Sequence, residues 1–140
     1  MTFYIFNEPV YNGFSEESVK KYDGLGGVKL VRTTVIETMP LCEFLDRYLP
    51  SGQAIDFMNI DVEGLSLQVL KSNDWSRYRP SVLAVEDDDL GSLMDEPTEI
   101  VTFMRSHGYA PYCKTPLTTF YAEKAEMIRG PYGWRLRRYH

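Results

Sequence analysis

Cysteine is scarce in this 140-residue chain, which has only Cys42 and Cys113. Two thiols cannot build a disulfide framework, so a reducing cytoplasm is the expected compartment. Histidine is equally rare, with His107 and His140, and the four residues together offer no zinc-ligand spacing. No apolar run approaches the roughly 20 residues needed to span a bilayer. The start, Met1-Thr2-Phe3-Tyr4-Ile5-Phe6, lacks the basic lead and small-residue cleavage site of a signal peptide, so no membrane partner is expected. Basic residues are outnumbered, 15 against 20 acidic, for a net charge of −5. That balance argues against nucleic acid as a partner held by a general basic surface. What the chain does have is 44% apolar and 14% aromatic residues, enough to bury the core of one domain.

The charge is unevenly spread. Arg129, Arg135, Arg137 and Arg138 leave residues 1–128 with 11 basic against 20 acidic groups, net −9. Residues 129–140 therefore read as a basic, aromatic C-terminal tail beside a domain over 1–128. Such a tail is either a solvated arm or an anion-binding segment in which Trp134 or Tyr139 stacks on a ring.

Residues 2–6 are β-prone, and Ser15-Glu16-Glu17-Ser18 opens a short helix that Asp23-Gly24 stops. Residues 28–36 form the next strand. Pro40 leads a helix whose Leu41, Phe44, Leu45, Tyr48 and Leu49 recur at the helical period. Ile55-Asp56-Phe57-Met58-Asn59-Ile60 reads as a strand covered on both faces. A helix then takes Val62, Leu65 and Val69 on one stripe, joined by Leu70. Arg79-Pro80 opens a second buried strand, 81–85, ending in Glu86-Asp87-Asp88-Asp89. A helix over about 97–106 stops at Gly108, and runs near 109–113 and 117–122 form an antiparallel hairpin. The pattern is α/β, with parallel central strands and an antiparallel C-terminal hairpin.

In an open α/β sheet, ligands bind beyond the carboxyl ends of the parallel strands. Here two such ends terminate in acids, Asp61 and Glu63 after the first, Glu86 to Asp89 after the second. Acids there bind a hydroxylated substrate, hold a divalent cation or remove a proton. Gly64 leaves room for a close backbone approach. The structural alternative is that Asp61 and Glu63 complement a helix amino end, while 87–89 form a solvated loop. Other motifs fail. Leu90 and Pro97 exclude an EF-hand begun at Glu86, and Gly64-Leu65-Ser66-Leu67-Gln68 lacks the second glycine of a nucleophile elbow. Gly24-Leu25-Gly26-Gly27 leads into a strand instead of leaving one, so it is a loop and not a phosphate cradle. His107, beside Gly108, is expected to bond a helix carboxyl end.

The run Ile55-Asp56-Phe57-Met58-Asn59-Ile60-Asp61-Val62-Glu63-Gly64, then Val69-Leu70, then Arg79-Pro80-Ser81-Val82-Leu83-Ala84-Val85-Glu86, resembles the FkbM-type S-adenosylmethionine-dependent methyltransferases. Leu41-Cys42-Glu43-Phe44-Leu45-Asp46 is similar to the family's segment before its core strand. The resemblance runs from about residue 28 to 122. It implies a Rossmann-like class I methyltransferase fold and O-methyl transfer to a hydroxyl of a sugar or natural-product precursor. It makes Asp61 and Glu63 the expected catalytic acids, Glu86 and Asp87 the substrate-binding pair, and Asn59, Asp61 and Gly64 the cofactor-side residues. S-adenosylmethionine is the implied cofactor; a divalent cation is compatible but not implied, and no metal ligands are assigned.

The family's amino-terminal strands, with the glycine turn and ribose-binding acid that hold the cofactor, have no counterpart here. The expectation is a partial fold, the carboxyl-terminal part of the domain, whose uncovered sheet edge favours a homo-oligomer. The alternative function is a non-catalytic half-domain that dimerises or binds a partner.

Overall fold

The computed structural model describes residues 1–87, 96–130 and 133–136. In chain order the elements are β1 (Thr2–Phe6), α1 (Glu16–Tyr22), β2 (Leu30–Val35), α2 (Leu41–Tyr48), β3 (Phe57–Ile60), α3 (Ser66–Lys71), β4 (Val82–Glu86), α4 (Glu99–Ser106), β5 (Tyr109–Lys114), β6 (Thr118–Glu123), β7 (Met127–Gly130) and β8 (Gly133–Leu136). The main sheet has the order β3-β4-β6-β5. β3 and β4 are parallel and the other two pairs antiparallel, so the expected hairpin is β5–β6. Pro111 lies in β5, an edge strand, where a missing N–H costs no ladder bond on the open side.

One face of this sheet makes the core. Ile60, Leu83, Val85 and Tyr121 alternate along their strands toward Leu70 of α3 and Ile100, Val101 and Met104 of α4. Burial of each such aliphatic side chain contributes about 1.5–3 kcal/mol. Polar tips inside are paired: Tyr109 donates its hydroxyl to the Pro80 carbonyl at 2.8 Å, and Trp75 Nε1 to Leu70 O at 2.9 Å. Arg79 ties three segments together, reaching Glu123 Oε1 at 2.5 Å, Trp75 O at 3.0 Å and His107 O at 2.9 Å. His107 Nδ1 lies 2.8 Å from Phe103 O at the end of α4, the helix-end contact expected of it.

Three expectations change. Only one of the parallel strands is central: β4 lies between β3 and β6, whereas β3 is at the sheet's edge, with β4 as its single neighbour among the described residues. β1 and β2 do not extend that sheet, because they pair antiparallel with each other in a two-stranded sheet of their own. Second, β3 is covered on one face only; both core helices lie on the Ile60 side, leaving Phe57 55% exposed and Asn59 exposed. Third, α3 begins at Ser66 and not at Val62, because Glu63 and Gly64 have φ of 49° and 86°, outside the helical region. Val62 still packs against the core from the loop. Residues Met127–Gly130 and Gly133–Leu136 pair as the β7–β8 hairpin, which spans the boundary at 128/129. Residues 88–95, 131, 132 and 137–140, which include Asp88, Asp89, Leu90, Arg137, Arg138 and Tyr139, lie outside the described residues. Among the described residues, no helix is long and apolar enough to cross a membrane.

Candidate functional site

Parallel pairing decides which acids meet. Ile60 is opposite Val85 in the β3–β4 register, so the next residues, Asp61 and Glu86, emerge at the same end of the sheet. Glu63 returns to them through a tight turn. With Glu63 and Gly64 both at positive φ, the chain reverses after Val62, and the Glu63 N–H donates to Glu86 Oε2 at 3.1 Å. Gly64 meets the need for that conformation without strain. Asp61, Glu63 and Glu86 each offer a carboxylate oxygen within 4.8 Å of the other two. Asp61 and Glu63 are exposed and Glu86 is half-buried.

Crowding of like charges shows in the titration of Glu86. Its pKa is pushed up from 4.5 to about 7, first by partial burial and then by the Asp61 charge. A hydrogen bond to Asp61 and the Glu63 charge add to the rise, against the opposing Glu63 N–H.

Asp87 faces elsewhere. The expected solvated loop does not begin at this residue: Asp87 is 8% exposed, and its Oδ2 accepts a 2.7 Å hydrogen bond from Thr98 Oγ1. Its backbone N–H donates to Leu117 O at 2.9 Å. The cause is α4, whose N-cap Thr98 sits over the β4 end; Thr98 Oγ1 also accepts from Val101 N at 3.2 Å. Asp87 and Glu86 share the wall of a hollow of about 160 Å³ with Gly64, Ser66, Leu67 and Ile100. Ser66 is 3% exposed, and its hydroxyl has no hydrogen-bond partner among the described residues.

A larger cleft of about 670 Å³ opens on the other side of Glu63 and Gly64, in the size range of small-molecule sites. The amino-terminal segment lines it through Tyr11, Gly13, Ser18 and Tyr22, and Leu117 lines it from the segment before β6. α1 is held by its own ends: Ser15 Oγ accepts from Ser18 N at 3.2 Å, with Glu16 and Glu17 in the first turn and Lys20 and Lys21 in the last. Gly13 exchanges backbone hydrogen bonds with Tyr4 at 2.8 and 3.2 Å. A Cβ on Gly13 would lie 3.4 Å from Glu63 Cβ, so this loop packs directly on the acid. The rings of Tyr11 and Tyr22 lie 4.8 Å apart, and Lys21 Nζ sits 4.9 Å from the Tyr22 ring centre.

Of the residues singled out in the sequence, Asp61, Glu63 and Glu86 come together, with Gly64 beside them in both hollows. Asp87 lines only the smaller hollow. Asn59 is exposed on β3, on the face away from the core helices, and lines neither hollow. Sequence reasoning missed the tyrosine wall and met Ser66 only as the serine of a nucleophile elbow it rejected. Residues 11–27 carry no motif, and what gives Tyr11 and Gly13 meaning is contact with a glutamate distant in the chain.

Residues 2–111 match the family model of the methyltransferase FkbM domain. That span takes in the amino-terminal wall of the cleft as well as both acid-bearing strand ends. No curated protein and no solved structure matches the chain. The chain belongs to the FkbM methyltransferase family.

Proposed function

We propose that this member of the FkbM methyltransferase family catalyses S-adenosylmethionine-dependent O-methyl transfer to a hydroxylated small molecule, a sugar or a natural-product precursor. The observation that carries the reading is the meeting of Asp61, Glu63 and Glu86 within 4.8 Å, with Glu63 also lining a cleft of about 670 Å³. When bound, S-adenosylmethionine supplies a methyl group made electrophilic by a sulfonium cation. The donor set suits such a cation. Asp61 and Glu63 offer exposed carboxylates, and Gly64 presents bare backbone with nothing within 4 Å of where a side chain would begin. Asp61 and Gly64 are therefore the residues assigned to the cofactor side, with Asn59 on the adjoining strand.

The chain's own contribution is alignment and proton uptake. A carboxylate oxygen of the trio accepts the hydrogen bond of the acceptor hydroxyl, which fixes the oxygen's direction. The methyl carbon would exchange its bond to sulfur for one to that oxygen, leaving the thioether S-adenosylhomocysteine, and the hydroxyl proton would pass to the same carboxylate. Asp61 and Glu63 are the candidate catalytic bases in this reading, and Glu86, with Asp87 behind it, sets the position of the acceptor. The Tyr11 and Tyr22 rings form a wall that excludes water from one side of the cleft.

The test is transfer of labelled methyl from S-adenosylmethionine to a panel of hydroxylated acceptors, together with calorimetry of cofactor binding. Cofactor binding followed by label in an acceptor ether is the expected result. Absence of both sinks the proposal. One observation favours a second reading, a non-catalytic module that associates with a partner. β3 has an open edge among the described residues, beside the exposed Phe57. Self-association without cofactor binding would select it.

A further inference from the structure

We propose that Asp61, Glu63 and Glu86 form a binding site for a divalent cation that prefers oxygen ligands, such as magnesium, manganese or calcium. The geometry fits: one carboxylate oxygen from each residue lies within 4.8 Å of the other two. Ligands on opposite sides of a calcium ion, each at about 2.4 Å, are separated by about 4.8 Å, and neighbouring ligands lie closer. The trio can therefore share one ion with little movement of the side chains. The donors are all carboxylates, which select hard cations over zinc or copper.

A second observation, independent of the acids, lies in the adjoining hollow. Ser66 is 3% exposed and its hydroxyl has no partner among the described residues, yet it lines the hollow of about 160 Å³ that Glu86 and Asp87 also line. A buried hydroxyl without a partner is uncommon and calls for a ligand or a water. Magnesium and its relatives keep several of their waters when protein supplies only a few ligands. A water on the ion, directed into this hollow, gives Ser66 the hydrogen bond it lacks. Lys21 is the one basic side chain among the described residues lining the neighbouring cleft, where Glu63 also lies; an ion at the trio would share that field with it. In the proposed reaction the ion would polarise the acceptor oxygen, but the site does not depend on that reaction.

The experiment is titration of the full chain with manganese, followed by the electron paramagnetic resonance of the free ion, with magnesium and calcium as competitors. No methyl donor or acceptor is added, so its failure and the failure of the methyl-transfer reading are separate results. One ion per chain is expected, with a dissociation constant of about 0.1–1 mM. Asp61→Asn and Glu86→Gln should each weaken binding at least about tenfold, and Ser66→Ala about tenfold through loss of an outer partner. Glu17→Gln, which removes a cleft carboxylate outside the trio, should leave binding intact. Circular dichroism of each variant confirms the fold. No saturable binding up to about 10 mM, or binding equally strong in Asp61→Asn and Glu86→Gln, overturns the site. Unchanged binding in Ser66→Ala overturns the role given to the hollow.

Discussion

The backbone N–H of Glu63 donates to Glu86 Oε2 at 3.1 Å. This single bond closes the turn after β3 onto the end of β4. It brings a residue that follows one strand into register with a residue that ends its neighbour. A carboxylate that accepts a backbone N–H is fixed in direction, and the direction it takes here is toward two further carboxylates. The activity expected of the chain depends on that convergence.

Replacing Asp61 by Asn keeps shape and removes charge. If Asp61 serves as the catalytic base of the trio, Asp61→Asn should lower the rate of methyl transfer by about 10²–10⁴, the range for a positioned acid or base. Cofactor affinity measured by calorimetry should fall less than the rate. A variant with the wild-type rate removes Asp61 from the chemistry.

The raised pKa of Glu86 makes stability depend on pH, and the sign follows from proton binding. The folded state holds the Glu86 proton up to about pH 7, whereas the unfolded chain releases it near 4.5. The stabilisation is thus complete below 4.5 and is lost as pH rises through 7. Thermal unfolding in the presence of chelator should show a fall in Tm across that window. Glu86→Gln should flatten this part of the profile and match or exceed the wild type above pH 7. An unchanged slope in the variant contradicts the assignment.

Thr98 joins the cap of α4 to the burial of Asp87, with its Oγ1 donating to Asp87 Oδ2 and accepting from Val101 N. Thr98→Val keeps the shape and loses both bonds. It should destabilise the fold by about 1–3 kcal/mol in urea titrations, whereas Thr98→Ser should retain most of the stability. Equal stability of Thr98→Val and wild type would mean that the hydroxyl contributes nothing net.

Much of this arrangement can be read from the residues, and its failures have physical causes. The β5–β6 hairpin, the two acid-ended strands and the stop of α4 before Gly108 follow from local pattern and turn chemistry, which act over a few residues. The apolar run before Asp61 gives no sign that Phe57 faces solvent, because coverage of a strand depends on where the helices pack. Val62, Leu65 and Val69 have helical spacing, yet the helix waits for Ser66, since the turn that carries Glu63 to Glu86 overrides periodicity. Asp87 looks like the start of an acidic loop because its partner, Thr98, comes from the following helix. The wall of Tyr11 and Gly13 is least legible, since nothing local announces its contact with Glu63.

Glu63 is the only described non-glycine residue at positive φ, with φ of 49°. A left-handed conformation costs a residue with a Cβ about 1–2 kcal/mol, and such outliers persist where the surrounding structure holds them in place. Here the holding groups are the Glu63 N–H bond to Glu86 and the Gly13 loop packed on its Cβ. Removing the side chain should therefore separate stability from function. Glu63→Gly relieves the backbone cost but adds freedom to the unfolded chain, so the net gain should be about 1 kcal/mol or less. The same substitution deletes one carboxylate of the trio and should lower methyl transfer. Glu63→Gln supplies the comparison: it keeps the Cβ and the strain, so activity should fall without the gain in stability. Urea titration and labelled-methyl transfer on the two variants decide the point. If Glu63→Gly is destabilised, the backbone carries no stored strain at this turn; if both variants keep full activity, the Glu63 carboxylate is not part of the site.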